Sequence, residues 1–168
     1  MNKIKGKGEN SPMNVAVRYL ASKPRTVKET AQYLDERGFG EYEISATLDR
    51  LLELNYLDDT AYAARFASAR LSAKPISRGR LLEQLTRHGV DQDAARAAVD
   101  EALPEDDEFA GACRTAREFL VRFAELPPRI RYERAARRLY GRGYEPDVVS
   151  RALYDAGFDK PEVLWDGE

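Results

Sequence analysis

The residues of this chain best suited to chemistry are its arginines, and the chemistry they suit is the holding of anions. Between Arg65 and Val90 stand Arg65, Arg70, Lys74, Arg78, Arg80 and Arg87 against a single acid, Glu83. Between Arg114 and Arg142 nine arginines meet three acids, Glu118, Glu125 and Glu133. Acids gather elsewhere, at Glu105, Asp106, Asp107 and Glu108 and in the tail after Phe158. A formal net charge of −2 argues against a protein that coats nucleic acid through bulk positive charge. Basic stripes on a nearly neutral chain point instead to an anionic partner met by directed contacts. The competing reading is ordinary solvated helix faces.

No constellation for bond-making chemistry accompanies them. His88, the only histidine, precedes Gly89 at the expected end of a helix, where a cation complements the helix dipole. Asp58-Asp59 looks like a metal pair only superficially, since adjacent acids at a helix start serve as caps and dipole partners. Cys113, the only cysteine, falls in an apolar helical stripe and reads as a small core residue. A lone cysteine excludes an intrachain disulfide and suits the cytoplasm. The chain has no Gly-rich phosphate loop, no H-E-x-x-H and no C-x-x-C. It is expected to be no enzyme and to carry neither metal nor cofactor. No run approaches the roughly 18 apolar residues of a membrane span. Lys3, Lys5 and Lys7 come without the apolar segment of a secretory signal, so the expected location is cytoplasmic.

What must position the arginines is a repeated helical unit. Leu81, Leu82 and Leu85 line one face of a short helix that ends at Gly89, and Asp91 caps the next, whose apolar side carries Ala95, Ala98, Val99 and Ala102. The positions four and seven before Gly89 hold Leu85 and Leu82. Around Gly38 they hold Leu34 and Ala31, and around Gly143 they hold Leu139 and Ala136. An apolar residue follows each glycine: Phe39, Val90, Tyr144. Six and ten positions beyond come Ile44 and Leu48, Ala95 and Val99, Val149 and Leu153. One helical face recurs in phase three times, which is an internal repeat.

The remaining helices follow from caps and breakers. Ser11-Pro12 starts the first and Pro24 closes it; Thr26-Val27-Lys28-Glu29 is a capping box for the second. The third covers about 41–54. Asp58-Asp59 caps a helix over 60–73 in which Tyr62, Phe66 and Ala69 share one side, the spacing marking Tyr62 and Phe66 as core rather than as base-stacking aromatics. A long helix over about 105–124 carries the seam Phe109, Cys113, Ala116, Leu120, Phe123. Pro127-Pro128 stops it, 129–142 forms the next, and Glu145-Pro146 opens the last. No segment alternates as a strand does. The expected fold is all-α: three tandem three-helix repeats over 13–57, 58–103 and 104–158, elongated and bent. Flexible tails are expected at 1–12 and at 159–168, the latter acidic and holding Trp165.

Residues 27–57 could pass for a winged-helix DNA reader, in which a β-hairpin wing follows the third helix. Here a helix follows instead. The third helix also presents Glu41, Glu43, Asp49 and Glu53 outward with Arg50 as its only cation, which suits phosphate poorly.

Two motifs resemble those of the regulatory protein RecX family, modulators of the recombinase RecA. Leu54-Asn-Tyr-Leu-Asp-Asp running into Tyr62-Ala-Ala-Arg-Phe66-Ala is similar to the family's Gly-Tyr/Phe-Leu-Asp-Asp…Phe-Ala signature, with Asn55 in place of the usual glycine. The stretch from Lys74-Pro-Ile-Ser-Arg-Gly-Arg to His88-Gly-Val is similar to the family's basic turn followed by Leu…Glu-Leu…Lys-Gly-Ile/Val. The resemblance covers about 13–158. It implies a negative regulator that binds in the groove of the RecA–single-stranded-DNA filament and inhibits ATP hydrolysis, strand exchange and filament growth in DNA repair and the SOS response. With the charge map, it makes Arg65, Arg70, Lys74, Arg78, Arg80, Arg131, Arg134 and Arg138 the expected contact residues. The expected protein is a monomer whose partner is the RecA filament, with at most weak binding of single- or double-stranded DNA and none of membranes. The alternative is a helical repeat protein that binds DNA without RecA.

Overall fold

A computed structural model describes residues 11–158. Over that span the chain forms nine helices and no strand: α1 (Pro12–Ser22), α2 (Val27–Asp35), α3 (Glu41–Glu53), α4 (Asp59–Ala73), α5 (Arg78–Arg87), α6 (Gln92–Ala102), α7 (Glu105–Arg122), α8 (Pro128–Tyr140) and α9 (Pro146–Asp155). The tails expected at 1–12 and 159–168 lie outside the described residues, apart from Ser11 and Pro12. Those two begin α1, Ser11 accepting the Asn14 N–H at 3.3 Å.

Local signals start the other helices. Thr26 Oγ1 accepts the Glu29 N–H at 3.1 Å while the Thr26 N–H donates to Glu29 Oε2 at 3.3 Å, which is the complete capping box. Asp58, Ser77 and Asp91 accept from the first turns of α4, α5 and α6. Pro128, expected only as a stop for α7, occupies the first turn of α8, where its missing N–H costs nothing. The helices around it are shorter than the periodicity predicts: α7 ends at Arg122 and α8 at Tyr140. Gly38, Gly89 and Gly143 all take left-handed φ, at 81°, 90° and 88°. Asn55 does so too, at 56°. Asparagine is among the few side chains that visit this region, which explains how it can stand in a glycine's place.

A joint that no local signal foretells occurs twice. The Thr26 hydroxyl, fully buried, donates to the His88 carbonyl at 2.6 Å, just before Gly89. Ser77, also buried, donates its backbone N–H to the Arg142 carbonyl at 3.1 Å, just before Gly143. In both cases the residue capping one helix also satisfies a carbonyl that a different helix end leaves unpaired.

The described chain divides into two compact units, residues 11–66 with Gln84–Ala98, and Ala67–Glu83 with residues 99–158. The first has a core of Ala16, Leu34, Leu51 and Leu57, with Val15, Leu20, Phe39, Ile44 and Leu48 packed partly buried against it. In the second, α7 packs against both α8 and α9 and needs a wider apolar face than a narrow seam. Ala112, Cys113, Ala116 and Phe119 are buried there, whereas Phe109, Leu120 and Phe123 are only partly so. The expected seam is therefore corrected: its centre includes Phe119. On α4 the buried positions are Tyr62, Ala63 and Ala67, and Ala69 is exposed, contrary to expectation. Small residues at 63 and 67 let that face seat closely and turn Ala69 outward.

Asp58 and Asp59 divide their labour. Asp58 caps α4, its Oδ1 accepting the Ala61 N–H at 2.8 Å, while Asp59 Oδ1 accepts the Val27 N–H of α2 at 3.0 Å. Burial raises the Asp59 carboxyl above its ordinary range, with the Val27 bond pulling the other way. Because the folded state holds this proton more tightly than the unfolded one, Asp59 contributes most at low pH and less as pH rises past its ordinary value. Asp59→Asn keeps an acceptor without the charge. The melting temperature of the variant relative to the parent is expected to be higher at about pH 7 than at about pH 3. Thermal melts across that range would contradict this if the relative gain grew on acidification.

Candidate partner-binding surface

The arginines of α8 are placed by its buried face. Ala135, Ala136 and Leu139 turn inward, so Arg134, Arg137 and Arg138 stand on the exposed side. Past the helix, Gly141 caps the end and Arg142 is drawn in: its guanidinium donates to Thr115 Oγ1 at 2.5 Å and lies 5.5 Å from the Phe119 ring centre. Phe119 stacks on Phe123 at 5.5 Å. Together Phe123, Arg134, Arg137, Arg138, Gly141 and Arg142 line a cleft of about 480 Å³. No ion pair among the described residues engages Arg134, Arg137 or Arg138. Arg137 and Arg138 also offset the negative end of the α8 dipole. Three unpaired guanidinium groups and a fourth held at the rim can meet carboxylate or phosphate oxygens bidentately.

The eight expected contact residues fare differently. Arg134 and Arg138 come together in the cleft. Arg65, Arg70 and Lys74 are exposed on or just after α4. Arg80 is exposed and pairs with Glu83 at 2.8 Å. Arg78 turns inward, where its guanidinium donates to the Leu103 carbonyl and the Asp100 carboxylate, leaving its side chain 20% exposed. Arg131 is half-buried, its Nε meeting no partner among the described residues, and it does not line the cleft. Arg137 and Arg142 were not among the expected residues. The spacing of 134, 137, 138 and 142 placed all four on one helical face, a signal open to inspection.

The residues considered for other chemistry have structural surroundings. His88 Nδ1 donates to Glu29 Oε1 at 2.8 Å, and the ring lies against Phe66 and Tyr62 at 5.1 and 5.8 Å. It thus ties the α5 end to the α2 capping box as well as facing a helix dipole. Cys113 is buried, and burial pushes its thiol up. No helix among the described residues is long and apolar enough to cross a membrane.

Comparison with known proteins adds an independent line. A family model described as RecX, first three-helix domain, matches residues 13–51. A regulatory protein RecX of Thermobifida fusca is 31% identical over 139 residues, covering 83% of this chain and 75% of that one. One from Treponema pallidum is 32% identical, covering 83% and 81%. One from Lactobacillus delbrueckii is 28% identical, and the match takes in only 52% of its length. The fold is similar to the crystal structure of RecX from Lactobacillus salivarius, with a TM-score of 0.74 at 19% identity over 86% of this chain and 94% of that one.

Proposed function

The chain belongs to the RecX family of regulatory proteins, and from that premise we propose that it is a non-catalytic negative regulator of RecA. It binds in the groove of the RecA–single-stranded-DNA filament and inhibits ATP hydrolysis, strand exchange and filament growth. The observation that carries this reading is the α8 cleft, where Arg134, Arg137 and Arg138 form no ion pair among the described residues and so offer their guanidinium groups to an anionic partner. Arg65, Arg70, Lys74 and Arg80 supply further exposed cations, and contacts spread over several protomers of a filament reinforce one another through effective concentration. Arg78 is better assigned to holding its own fold, since Asp100 and the Leu103 carbonyl already occupy it.

A RecA-independent DNA-binding protein is the reading to set against this, because guanidinium groups suit phosphate as well as carboxylate. A winged-helix reader is disfavoured: α4 stands where the wing would be, and Arg50 on α3 is paired with Glu53 at 2.8 Å. The test is DNA-dependent ATP hydrolysis by the cognate RecA with substoichiometric amounts of this protein, with and without excess free DNA. Inhibition that excess DNA leaves intact is the expected result. Relief by added DNA means competition for the strand, and no inhibition at any ratio rejects the regulator reading.

A further inference from the structure

Phe158, the last described residue, is held against α8. Past α9 the backbone turns through Gly157, at a left-handed φ of 87°, and the Phe158 N–H donates to the Leu153 carbonyl at 3.0 Å. Phe158 is 3% exposed, and its ring packs edge to face on Tyr132, two residues before Arg134, with ring centres 6.4 Å apart. From Tyr132 to Arg138 the helix rises about 9 Å. The ten residues that follow Phe158 in the sequence span up to about 33 Å when extended. The α8 cleft is within their reach.

Those residues read Asp-Lys-Pro-Glu-Val-Leu-Trp-Asp-Gly-Glu: Asp159, Glu162, Asp166 and Glu168 against Lys160 alone, with Val163, Leu164 and Trp165 between the acids. The cleft presents the complement. Arg134, Arg137, Arg138 and Arg142 surround Phe123, and no acid among the described residues lines it. Glu133 of α8 and Glu118 of α7 pair instead with Arg129, at 3.0 Å, and Arg122, at 3.9 Å. Phe123 stacks on Phe119 yet is only partly buried, so it offers an apolar surface ringed by guanidinium groups. An indole suits that surface, because it can contact the phenyl ring and the arginines at once. We propose that residues 159–168 occupy the α8 cleft of their own molecule, Trp165 against Phe123 and the carboxylates on the arginines. An anionic partner must then displace them. The contact stands apart from the regulator reading; its consequence, a filament affinity lowered by the segment, rests on that reading.

Trp165 is the only tryptophan, so its quenching by acrylamide, an uncharged probe, reads the contact directly in the full chain. Two variants are compared with the parent: Arg134→Gln, Arg137→Gln, Arg138→Gln in the cleft, and Asp159→Asn, Glu162→Gln, Asp166→Asn, Glu168→Gln in the segment. A short tether supplies a millimolar effective concentration; a segment docked about two-thirds of the time gives the parent a quenching constant about threefold below that of either variant. The parent's value is expected not to change with protein concentration. Equal quenching in the parent and in either variant overturns the proposal, whether Trp165 is open or covered in both. Protection that grows with protein concentration assigns the cleft to the segment of a neighbouring molecule and overturns it too. In RecA ATP hydrolysis the segment variant is expected to inhibit at about threefold lower concentration than the parent, because its cleft is no longer partly filled. Release of Trp165 without that gain upholds the contact and overturns its regulatory role. No inhibition by either protein rejects the regulator reading and leaves the contact standing.

Discussion

Gly143→Ala is expected to destabilise the fold by about 3 kcal/mol or more, and Gly38→Ala by about 1 kcal/mol. Both glycines hold φ near the left-handed value, at 88° and 81°, so both substitutions incur the same backbone penalty. They differ in what the new methyl group would meet. Around Gly38 nothing lies within 4 Å. At Gly143 a Cβ would come within 2.6 Å of Ser77 Oγ and of Arg80 Cβ, closer than such atoms can stand. Arg80 Cβ is fixed to the backbone of α5, so relief requires moving the helix start, and that start is the second buried joint, where the Ser77 N–H donates to the Arg142 carbonyl. Gly89→Ala belongs with Gly143→Ala, because a Cβ there would collide with Lys28 Cβ in the α2 first turn. Urea midpoints of the three variants against the parent give the measurement. Three equal losses would mean that backbone strain alone matters and that the joints contribute nothing to packing.

These glycines also mark how far the sequence could be read. Their register, the apolar residue after each and the caps at Thr26, Ser77 and Asp91 are local signals, expressed within one helical turn, and the structure retains them all. The joints were not legible, because Thr26 and His88 are 62 residues apart and each already has a local role that explains its identity. Charge counting failed in a similar way. Arg78 and Arg80 stand two positions apart on one short helix and look alike, yet Arg78 finds Asp100 and the Leu103 carbonyl while Arg80 faces solvent beside Glu83. Only the placement of α6 decides between them. Phe119 was missed because a seam stepping by four and three assumes one neighbour, and α7 has two. The cleft itself was half legible: Arg134 and Arg138 were among the cations that the charge map and the resemblance singled out, and Arg137 and Arg142 stand at helical spacing from Arg134 in the sequence. What the spacing could not convey is that no acid among the described residues pairs with Arg134, Arg137 or Arg138.

That absence of ion-pair partners among the described residues makes the combined variant Arg134→Gln, Arg137→Gln, Arg138→Gln the most informative for the proposed activity. Glutamine keeps helix propensity close to that of arginine, and no side-chain hydrogen bond or ion pair among the described residues ties the three arginines to the fold, so melting is expected to stay within a few degrees of the parent. The three guanidinium charges vanish together. A hydrogen bond to a charged group is worth about 1.5–3 kcal/mol when it forms, and neighbouring guanidinium groups on one anion do not add fully. Taking about 3 kcal/mol for the set, the protein needed for half-inhibition of RecA ATP hydrolysis rises about 100-fold. Inhibition by the parent should weaken as salt rises, since exposed charges are screened over about 10 Å at 0.1 M. The variant's residual inhibition should respond less steeply, because the contacts that salt screens are those removed. A similar triple change at Arg65, Arg70 and Lys74 compares the α4 surface directly. If that set, and not the α8 set, abolishes inhibition, the binding face lies on α4 and the cleft arginines serve the α8 dipole. If neither does, charge is not what holds the filament, and the regulator must act through another surface.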